Sequence, residues 1–321
     1  MANMDSYEVN GYLIRETLKA TDGGNCRWGY AERYGKTFFI KEFLSPKYPD
    51  KDSKMSERLK EQRIQKCNDW YDMHSQVYQA VIQSSGGNLV QPIDFFRSGS
   101  CFYLVTEKID ATDIHFENIY QRSAEQRHIL LKILSYELSR LAEHNVVHSD
   151  MKPDNLLLKD TVDGYFTVKI IDFDASFLST NLPPSDELTG DQVYFSPEMI
   201  DYMVTDGMGA ITPKSDVFAL GILFHQILCG KLPEYDTETY SCVGEAVRQE
   251  AKIKIDVQIL PEYSELIQKM LVADVEKRPT ALDVLQQLCW IESTLFSTRN
   301  RRKRFRDART ADSWNRPNRL G

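Results

Sequence analysis

The 321-residue chain has no closely spaced pair of cysteines. Disulfide frameworks and structural zinc sites depend on such pairs, typically CxxC, so the sequence favours neither. The cysteines are Cys26, Cys67, Cys101, Cys229, Cys242 and Cys289. They are predicted to be buried or incidental thiols in a reducing compartment, and we expect a cytoplasmic protein.

Long hydrophobic runs, internal repeats and low-complexity linkers are also missing. The longest apolar run, residues 217–230, contains His225 and Gln226 and is too short to cross a bilayer, so it is predicted to be a buried core helix. Residues 1–8 are polar and do not resemble a signal peptide. With 42% hydrophobic and 27% charged residues, the composition is that of a globular protein large enough for two lobes.

Positive charge is scarce except near one end of the chain. The net charge is −8, yet residues 298–321 hold nine of the 39 basic and two of the 47 acidic residues. This tail therefore has a net charge of +7, and the remainder has −15. We predict a disordered, solvated tail. The alternatives are an arm that docks an acidic protein partner and, less favoured, a contact with nucleic acid or a membrane surface.

An acid, a cation and an amide stand close together in residues 148–155, HSDMKPDN. They are Asp150, Lys152 and Asn155. Seventeen residues after Asn155, an apolar pair ends in Asp172. Carboxylate and amide oxygens suit Mg²⁺, and a lysine can neutralise phosphate. The residues therefore present a base, a phosphate-neutralising lysine and two oxygen ligands suited to Mg²⁺.

This pattern resembles the catalytic loop and metal-binding strand of the protein kinases, and the lysine two residues after the aspartate is typical of the Ser/Thr type. The resemblance implies that Asp150 accepts the proton of the attacking hydroxyl or chiefly orients it, while Lys152 neutralises the transferred group. Asn155 and Asp172 would hold Mg²⁺, so ATP and Mg²⁺ are the implied cofactors. His148 matches a histidine that packs rather than reacts.

Three strands are predicted over residues 12–18, 29–33 and 37–43. Between the first two, the family's phosphate loop, G-x-G-x-x-G-x-V, is matched by Gly24, Cys26, Gly29 and Ala31, so one glycine and the valine are missing. Gly24 and Gly29 are the candidates for close backbone approach to phosphates. Lys41 matches the strand lysine that contacts the α- and β-phosphates.

The resemblance also places residues around the adenine. Phe39 stands where the family has alanine, and its ring should narrow the pocket unless Ala31, in place of valine, offsets it. Thr106 matches the gatekeeper position. The Glu107 carbonyl and the Ile109 amide would meet the adenine edge.

Residues 56–83 have the apolar spacing of one long helix or two shorter ones. In the family, a helix here supplies a glutamate that pairs with the strand lysine. Counting forward from Lys41 and back from the next strand gives different answers, so the partner stays unassigned. The candidates are Glu57 and Glu61 from the first count, and Asp69, Asp72 and Gln76 from the second. Further on, residues 89–96 and 101–106 are predicted to form a hairpin, and residues 123–144 a helix capped by Ser123.

Residues 174–198 match the family's activation segment. The end, GDQVYFSPE, is similar to G-T-x-x-Y-x-A-P-E, which small-molecule phosphotransferases lack, so a protein substrate is implied. Three positions depart from the family. Ser149 replaces an arginine that often pairs with a phosphorylated segment, which argues against that form of control. Asp174 replaces a glycine. Asp191 replaces a threonine, and its carboxylate could pair with Lys152 but would repel Asp150 unless screened.

Two supports for the catalytic loop follow from the same resemblance. Asp216, in residues 215–221, matches a helix aspartate that holds the loop's backbone. Arg278 matches an arginine that pairs with the Pro-Glu element, here Glu198, and a buried pair of this kind positions parts rather than adding much stability.

The resemblance covers residues 12–292 and implies an α+β, bilobal protein-kinase-like fold. The expected domains are an N-lobe of residues 1–108, with a small antiparallel sheet and a long helix, a larger and mostly helical C-lobe of residues 109–297, and the basic tail of residues 298–321. The implied function is that of an ATP- and Mg²⁺-dependent Ser/Thr protein kinase. A pseudokinase scaffold that binds nucleotide with little or no transfer is the alternative, and a small-molecule phosphotransferase is less favoured.

Overall fold

A computed structural model describes residues 6–20, 25–50, 52–110, 114–161 and 166–294. Gly24 and the basic tail lie outside this part of the chain. The first part is an antiparallel sheet of six strands in the order β1-β2-β3-β4-β6-β5. The strands are β1 Tyr7–Val9, β2 Tyr12–Ile14, β3 Cys26–Arg33, β4 Lys36–Phe43, β5 Pro92–Ser98 and β6 Cys101–Glu107.

The observed strands differ at their ends from those predicted. β2 stops at Ile14, β3 begins three residues early, and the short strand β1 was not predicted. A tight turn joins β3 and β4, with positive φ at Tyr34 (52°) and Gly35 (71°). Leu89, the first residue of the predicted hairpin, lies outside the observed strand β5 and instead forms a parallel bridge with Ile170. Strand ends depend on such tertiary contacts, which local sequence does not specify.

A single helix, α1, runs over Glu57–Ser84 between β4 and β5. It begins at Ser56, whose side chain accepts a hydrogen bond from the Leu59 N–H, and neither proline nor glycine interrupts it. Its buried residues recur at helical spacing along one face. They are Cys67, His74, Val77, Tyr78, Val81 and Ser84.

The second part of the chain is mostly helical. Its helices are α2 Ala124–Glu143, α3 Pro197–Val204, α4 Lys214–Cys229, α5 Val243–Arg248, α6 Pro261–Met270 and α7 over residues 281–294. Two small sheets pair β7 Val146–Val147 with β10 Phe177–Leu178, and β8 Leu156–Asp160 with β9 Phe166–Ile170.

The predicted features of α2 and α4 are confirmed. Ser123 and Gln126 form a reciprocal capping box at the start of α2. Helix α4 is buried along most of its length and ends at Gly230, which has the positive φ of 81° favoured by glycine at a helix end. Within the described residues, no helix is long and apolar enough to cross a membrane.

The largest hydrophobic cluster joins the sheet to the helical part. It includes Cys26 and Phe43 of the sheet, Val81 of α1, and Leu134 and Phe218 of α2 and α4. All six cysteines are free, in agreement with the predicted lack of disulfides. The result is the bilobal α+β arrangement predicted from the sequence.

Candidate active site

Helix α4 holds the start of the loop of residues 148–155 in place. Asp216 is 3% exposed and accepts hydrogen bonds from the backbone N–H groups of His148 (2.7 Å) and Ser149 (3.0 Å). Burial raises the pKa of Asp216 to about 7, although these two N–H groups oppose the shift. The contact places the start of the loop, as predicted for this aspartate.

His148 is fully buried and packs inside the site. Its Nε2 lies 3.2 Å from the carbonyl oxygen of Ile171, and its ring centroid lies 4.9 Å from that of Phe173. Burial lowers the pKa of His148. These contacts join the loop to the segment that carries Asp172, which agrees with a packing role.

The Asp150 carboxylate is surrounded by donors. Lys152 Nζ lies 2.8 Å from Oδ2, and Asn155 Nδ2 donates to Oδ2 at 2.9 Å and to the Asp150 carbonyl at 2.7 Å. The Asp191 backbone N–H donates to Oδ1 at 2.8 Å. Burial would lower the pKa of Lys152, but the Asp150 carboxylate outweighs it and raises that pKa. These contacts fix the orientation of the Asp150 carboxylate, which suits a role in orienting a hydroxyl.

Asp191 makes contacts with both its side chain and its backbone. Its Oδ1 accepts the N–H of Val193 at 3.0 Å and caps the short turn Gln192–Tyr194. Only its backbone N–H is directed to Asp150. The Asp191 carboxylate also acts on Lys152, whose pKa it helps to raise.

Lys41, on β4, reaches across to the segment after β9. Its Nζ lies 2.7 Å from Asp172 Oδ1 and 2.7 Å from Asp174 Oδ2. Burial opposes the charge on Lys41, but the two carboxylates raise its pKa. Burial would likewise raise the pKa of Asp172, and Lys41 holds it below its usual value. Burial and the adjacent Asp172 carboxylate raise the pKa of Asp174 to about 6.

Within the described structure, Lys41 forms its ion pairs with Asp172 and Asp174. The glutamate of α1 that was expected to pair with Lys41 is not among these partners. The candidates that sequence counting gave are all exposed: Glu57, Glu61, Asp69, Asp72 and Gln76. The face of α1 near the site carries His74 and Tyr78 instead. Sequence reasoning missed Asp174 as the partner, although a second aspartate two residues after Asp172 was a visible signal.

Asn155 and Asp172 lie on neighbouring segments, since the Ile171 N–H donates to the Asn155 carbonyl at 3.0 Å. The Asn155 amide uses its Nδ2 on Asp150, which leaves Oδ1 as an acceptor. The side chain of Asp172 is 35% exposed, at a φ of 65°. Two hard oxygen ligands fit Mg²⁺. Among the described residues, no group of three or more His, Cys, Asp or Glu side chains could hold a metal ion.

Aromatic rings cover the sheet face beside Lys41. Phe39 stacks on Trp28 at 5.7 Å between ring centroids and meets Tyr30 edge-on at 6.1 Å. The expectation that Ala31 offsets Phe39 is wrong. Tyr30 is the residue opposite Phe39 in the β3–β4 register, whereas Ala31 is 1% exposed and belongs to the cluster on the other face of the sheet.

Gly29 lies within β3, opposite Ile40. A Cβ at this position would come within 2.8 Å of Leu18 Cδ2, so a packing contact also accounts for the glycine. The phosphate-binding role of Gly29 stays a prediction.

At the end of β6, the Thr106 hydroxyl donates to the Glu107 carbonyl at 3.3 Å. The Glu107 side chain pairs with Lys169 of β9 at 3.2 Å. Ile109 is half-buried just beyond the strand. These residues lie at the Phe39 end of the sheet, because Thr106 pairs with Phe39 in the β4–β6 register. Their adenine contacts stay predictions.

Side-chain contacts hold the activation segment at several points. The Ser149 hydroxyl donates to the Thr189 carbonyl at 3.2 Å, and Lys66 of α1 pairs with Glu187 at 2.7 Å. Farther on, Arg278 pairs with Glu198 at 2.6 Å, as predicted. The segment thus contacts the catalytic loop, α1 and Arg278.

Comparisons with known proteins agree with this geometry. The family model described as "Protein kinase domain" matches residues 33–290. Similar proteins include protein kinase kin1 of Schizosaccharomyces pombe, 25% identical over 288 residues, which are 86% of this chain and 30% of the relative. The ovarian-specific serine/threonine-protein kinase Lok of Drosophila melanogaster is 26% identical over 258 residues, 76% of this chain and 46% of the relative.

A third relative, the serine/threonine-protein kinase GIN4 of Saccharomyces cerevisiae, is 26% identical over 204 residues, 62% of this chain and 17% of the relative. The matched parts thus span less than half the length of these relatives. The family model, however, covers most of the present sequence. The chain therefore belongs to the protein kinase family.

Proposed function

We propose that this chain is an ATP- and Mg²⁺-dependent protein-serine/threonine kinase. The observation that carries the proposal is the convergence of two groups. Lys41 Nζ lies 2.7 Å from Asp172, while Lys152 and Asn155 both contact Asp150. The Ile171 N–H, on the Asn155 carbonyl, connects the groups. A phosphoryl-transfer site needs this combination of cations, metal ligands and an oriented acceptor.

The proposed roles follow from the contacts. Asp150 accepts a hydrogen bond from the attacking hydroxyl and orients it, and Lys152, 2.8 Å from Asp150, offsets negative charge on the transferred group. Lys41 binds the α- and β-phosphates. Asn155 and Asp172 hold the metal ion, which when bound neutralises phosphate charge. The chain's own contribution is thus positioning and electrostatic stabilisation.

We propose a protein substrate because side-chain contacts fix the activation segment against the helical part of the chain. The Tyr194 hydroxyl donates to Gln226 of α4 at 3.0 Å, and Glu198 is held by Arg278. These contacts support residues 190–198 as a shaped surface beside Asp150, suited to an extended peptide with a hydroxyl. Docking of an acidic partner by residues 298–321, the domain boundaries and the cytoplasmic location stay predictions.

A nucleotide-binding pseudokinase is the second candidate, and one observation favours it. The rings of Trp28, Tyr30 and Phe39 occupy the sheet face where the family resemblance places the adenine. If they obstruct the base, transfer would be weak even though the catalytic groups are assembled.

The discriminating experiment incubates the purified chain with γ-labelled ATP, Mg²⁺ and a mixture of Ser- and Thr-containing peptides. The controls are Asp150→Ala and Asp172→Ala, with Lys277→Met as a surface control, since the Lys277 side chain is 78% exposed. We expect label on protein or peptide in the parent chain and in Lys277→Met, and its loss in both aspartate variants. Nucleotide binding without transfer in the parent chain would favour the pseudokinase, and label only on small molecules would contradict a protein substrate.

A further inference from the structure

We propose that Asp174, and not a carboxylate of α1, is the residue that positions Lys41 for phosphoryl transfer. The inference rests on the proposed function and adds a positioning residue to it. Asp174 stands two residues after Asp172, where the family resemblance leads one to expect glycine. Glycine offers no side chain to a lysine, so the substitution adds a carboxylate to the site.

Asp174 contacts Lys41 as closely as Asp172 does. Asp174 Oδ2 lies 2.7 Å from Lys41 Nζ, and the lysine side chain is 13% exposed. Charge-assisted hydrogen bonds at this distance are among the stronger side-chain contacts. Because both groups are largely withdrawn from water, the pair is only weakly screened by salt.

The Asp174 carboxylate is itself held in place by its surroundings. The Tyr78 hydroxyl donates to Oδ1 at 3.4 Å, and the Cys26 thiol donates to Oδ2 at 3.6 Å. His74 Nε2 lies 3.4 Å from the Asp174 carbonyl oxygen. These three residues are between 2% and 4% exposed. They come from α1 and β3, so both elements orient the carboxylate that meets Lys41 on β4.

Asp172 and Asp174 have different proposed roles. Asp172 is the more exposed, at 35% against 21% for Asp174, and it is the proposed metal ligand. A carboxylate oxygen that binds Mg²⁺ is no longer fully available to an ammonium group. Asp174 then remains as the partner of Lys41, with no need for a glutamate on α1.

This arrangement also assigns α1 a different task. The acidic candidates on α1 are exposed and form no ion pair with Lys41 in the described structure, whereas His74 and Tyr78 contact Asp174. The helix thus acts on Lys41 through Asp174. A displacement of α1 would release the carboxylate rather than break an ion pair of its own.

A double-mutant cycle on the full chain tests the proposal. The variants are Asp174→Asn, Lys41→Met and the double variant, with Asp174→Gly as a second probe should the asparagine variant fail to fold. The matched control neutralises α1 by Glu61→Gln, Asp69→Asn and Asp72→Asn together. Thermal melting checks the fold, steady-state transfer from labelled ATP gives kcat and KM, and titration with MgATP gives the dissociation constant.

We expect Asp174→Asn to lower kcat/KM about 100-fold, as a mispositioned catalytic contact does, and to weaken MgATP binding about tenfold. In the Lys41→Met background it should add no further loss, because Asp174 acts through Lys41. The α1 control should stay within about twofold of the parent chain. A purely structural role would instead lower the melting temperature and give additive losses.

Three outcomes overturn the proposal: additive losses in the cycle, a folded Asp174→Asn chain within about twofold of the parent, or an equal loss in the α1 control. Failure of the proposed function is distinguishable from these. If the parent chain transfers no phosphate, the cycle is read from the MgATP dissociation constant. An unchanged MgATP dissociation constant in Asp174→Asn then overturns the positioning role, and an increase of about tenfold supports it.

Discussion

Arg278 donates two hydrogen bonds to Glu198, one from each terminal nitrogen, at 2.6 and 3.0 Å. The arginine side chain is 0% exposed and the glutamate 12%. Arg278 also donates to the backbone carbonyls of Lys214 and Val272, so one guanidinium joins the end of the activation segment to α4 and the chain before α7. Burial would raise the pKa of Glu198, but Arg278 outweighs it and holds that pKa below the usual value.

Arg278→Met should therefore leave an uncompensated buried carboxylate and lower the free energy of unfolding by about 3–5 kcal/mol. The matched control is Lys277→Met, one residue away, where the side chain is 78% exposed and pairs with Asp274 at 3.0 Å. An exposed pair of this kind contributes about 1 kcal/mol or less. Denaturant unfolding of both variants measures the difference, and similar losses would show that burial of the pair does not matter.

Gly190→Ala should impair both the activation segment and phosphoryl transfer. Gly190 has a φ of 142°, and a Cβ there would lie 2.7 Å from the Ser149 carbonyl and 2.7 Å from Phe195 Cε1. The neighbouring Asp191 N–H, which binds Asp150, would be pushed away. Transfer should fall about 100-fold, as for other small displacements at a reacting centre.

Gly209→Ala is the control for backbone strain alone, since Gly209 has a φ of 130° and no atom within 4 Å of an added Cβ. It should lower the free energy of unfolding by about 1 kcal/mol with transfer retained. Equal losses of transfer in the two alanine variants would contradict a specific contact at Ser149.

Phe39→Ala should bind ATP more tightly. Its ring stacks on Trp28 and meets Tyr30, and no small residue on that face makes room for a base, because Ala31 is on the other side of the sheet. Removing the ring relieves crowding, and we expect about tenfold stronger ATP binding. Calorimetric titration gives the dissociation constants.

Phe38→Ala is the matched control, since Phe38 packs edge-on against Tyr12, 5.7 Å between centroids, in the cluster on the opposite face. It should destabilise the sheet without changing ATP binding. Weaker ATP binding in Phe39→Ala would mean that the base stacks on the ring rather than being obstructed by it.

His128→Gln should reduce the pH dependence of stability. His128 is 1% exposed, and burial lowers its pKa to about 4 from 6.5, while Glu292 opposes and Lys132 adds to the shift. A histidine with a lowered pKa stabilises the fold above pH 6.5, and this stability is lost as the pH falls toward 4. The difference amounts to about 3 kcal/mol over that range.

Denaturant unfolding at a series of pH values measures this slope, which should be shallower in His128→Gln than in the parent chain. Tyr263→Phe is the control. It removes the hydroxyl that lies 2.8 Å from His128 Nδ1 but keeps the burial, so most of the slope should remain. An unchanged slope in His128→Gln would mean that other groups cause the acid sensitivity.

Sequence alone predicted the parts of the site whose signals are local or tied to a family pattern. The Ser123–Gln126 capping box is set by four consecutive residues. The contact of Asp216 with the catalytic loop and the Glu198–Arg278 pair, 80 residues apart, followed from the family resemblance. Neither contact could be derived from spacing.

The errors have specific physical reasons. Side chains alternate between the two faces of a strand, so an error of one residue in matching a pattern places a side chain on the wrong face. This error made Ala31, rather than Tyr30, the expected neighbour of Phe39. The partner of Lys41 was sought on α1 by counting residues. The structure supplies it from Asp174, 133 residues away in the chain, which only the folded arrangement brings near.

The apolar cluster shared by the sheet, α1 and the helical part has a consequence for how the molecule comes apart. Residues as distant as Phe43 and Phe218 belong to one continuous core, so each half completes part of the other's hydrophobic interior, although the sheet also has a cluster of its own. Expressed separately, each half would expose hydrophobic surface to water and aggregate. In the intact chain, both halves should unfold together in a single cooperative transition.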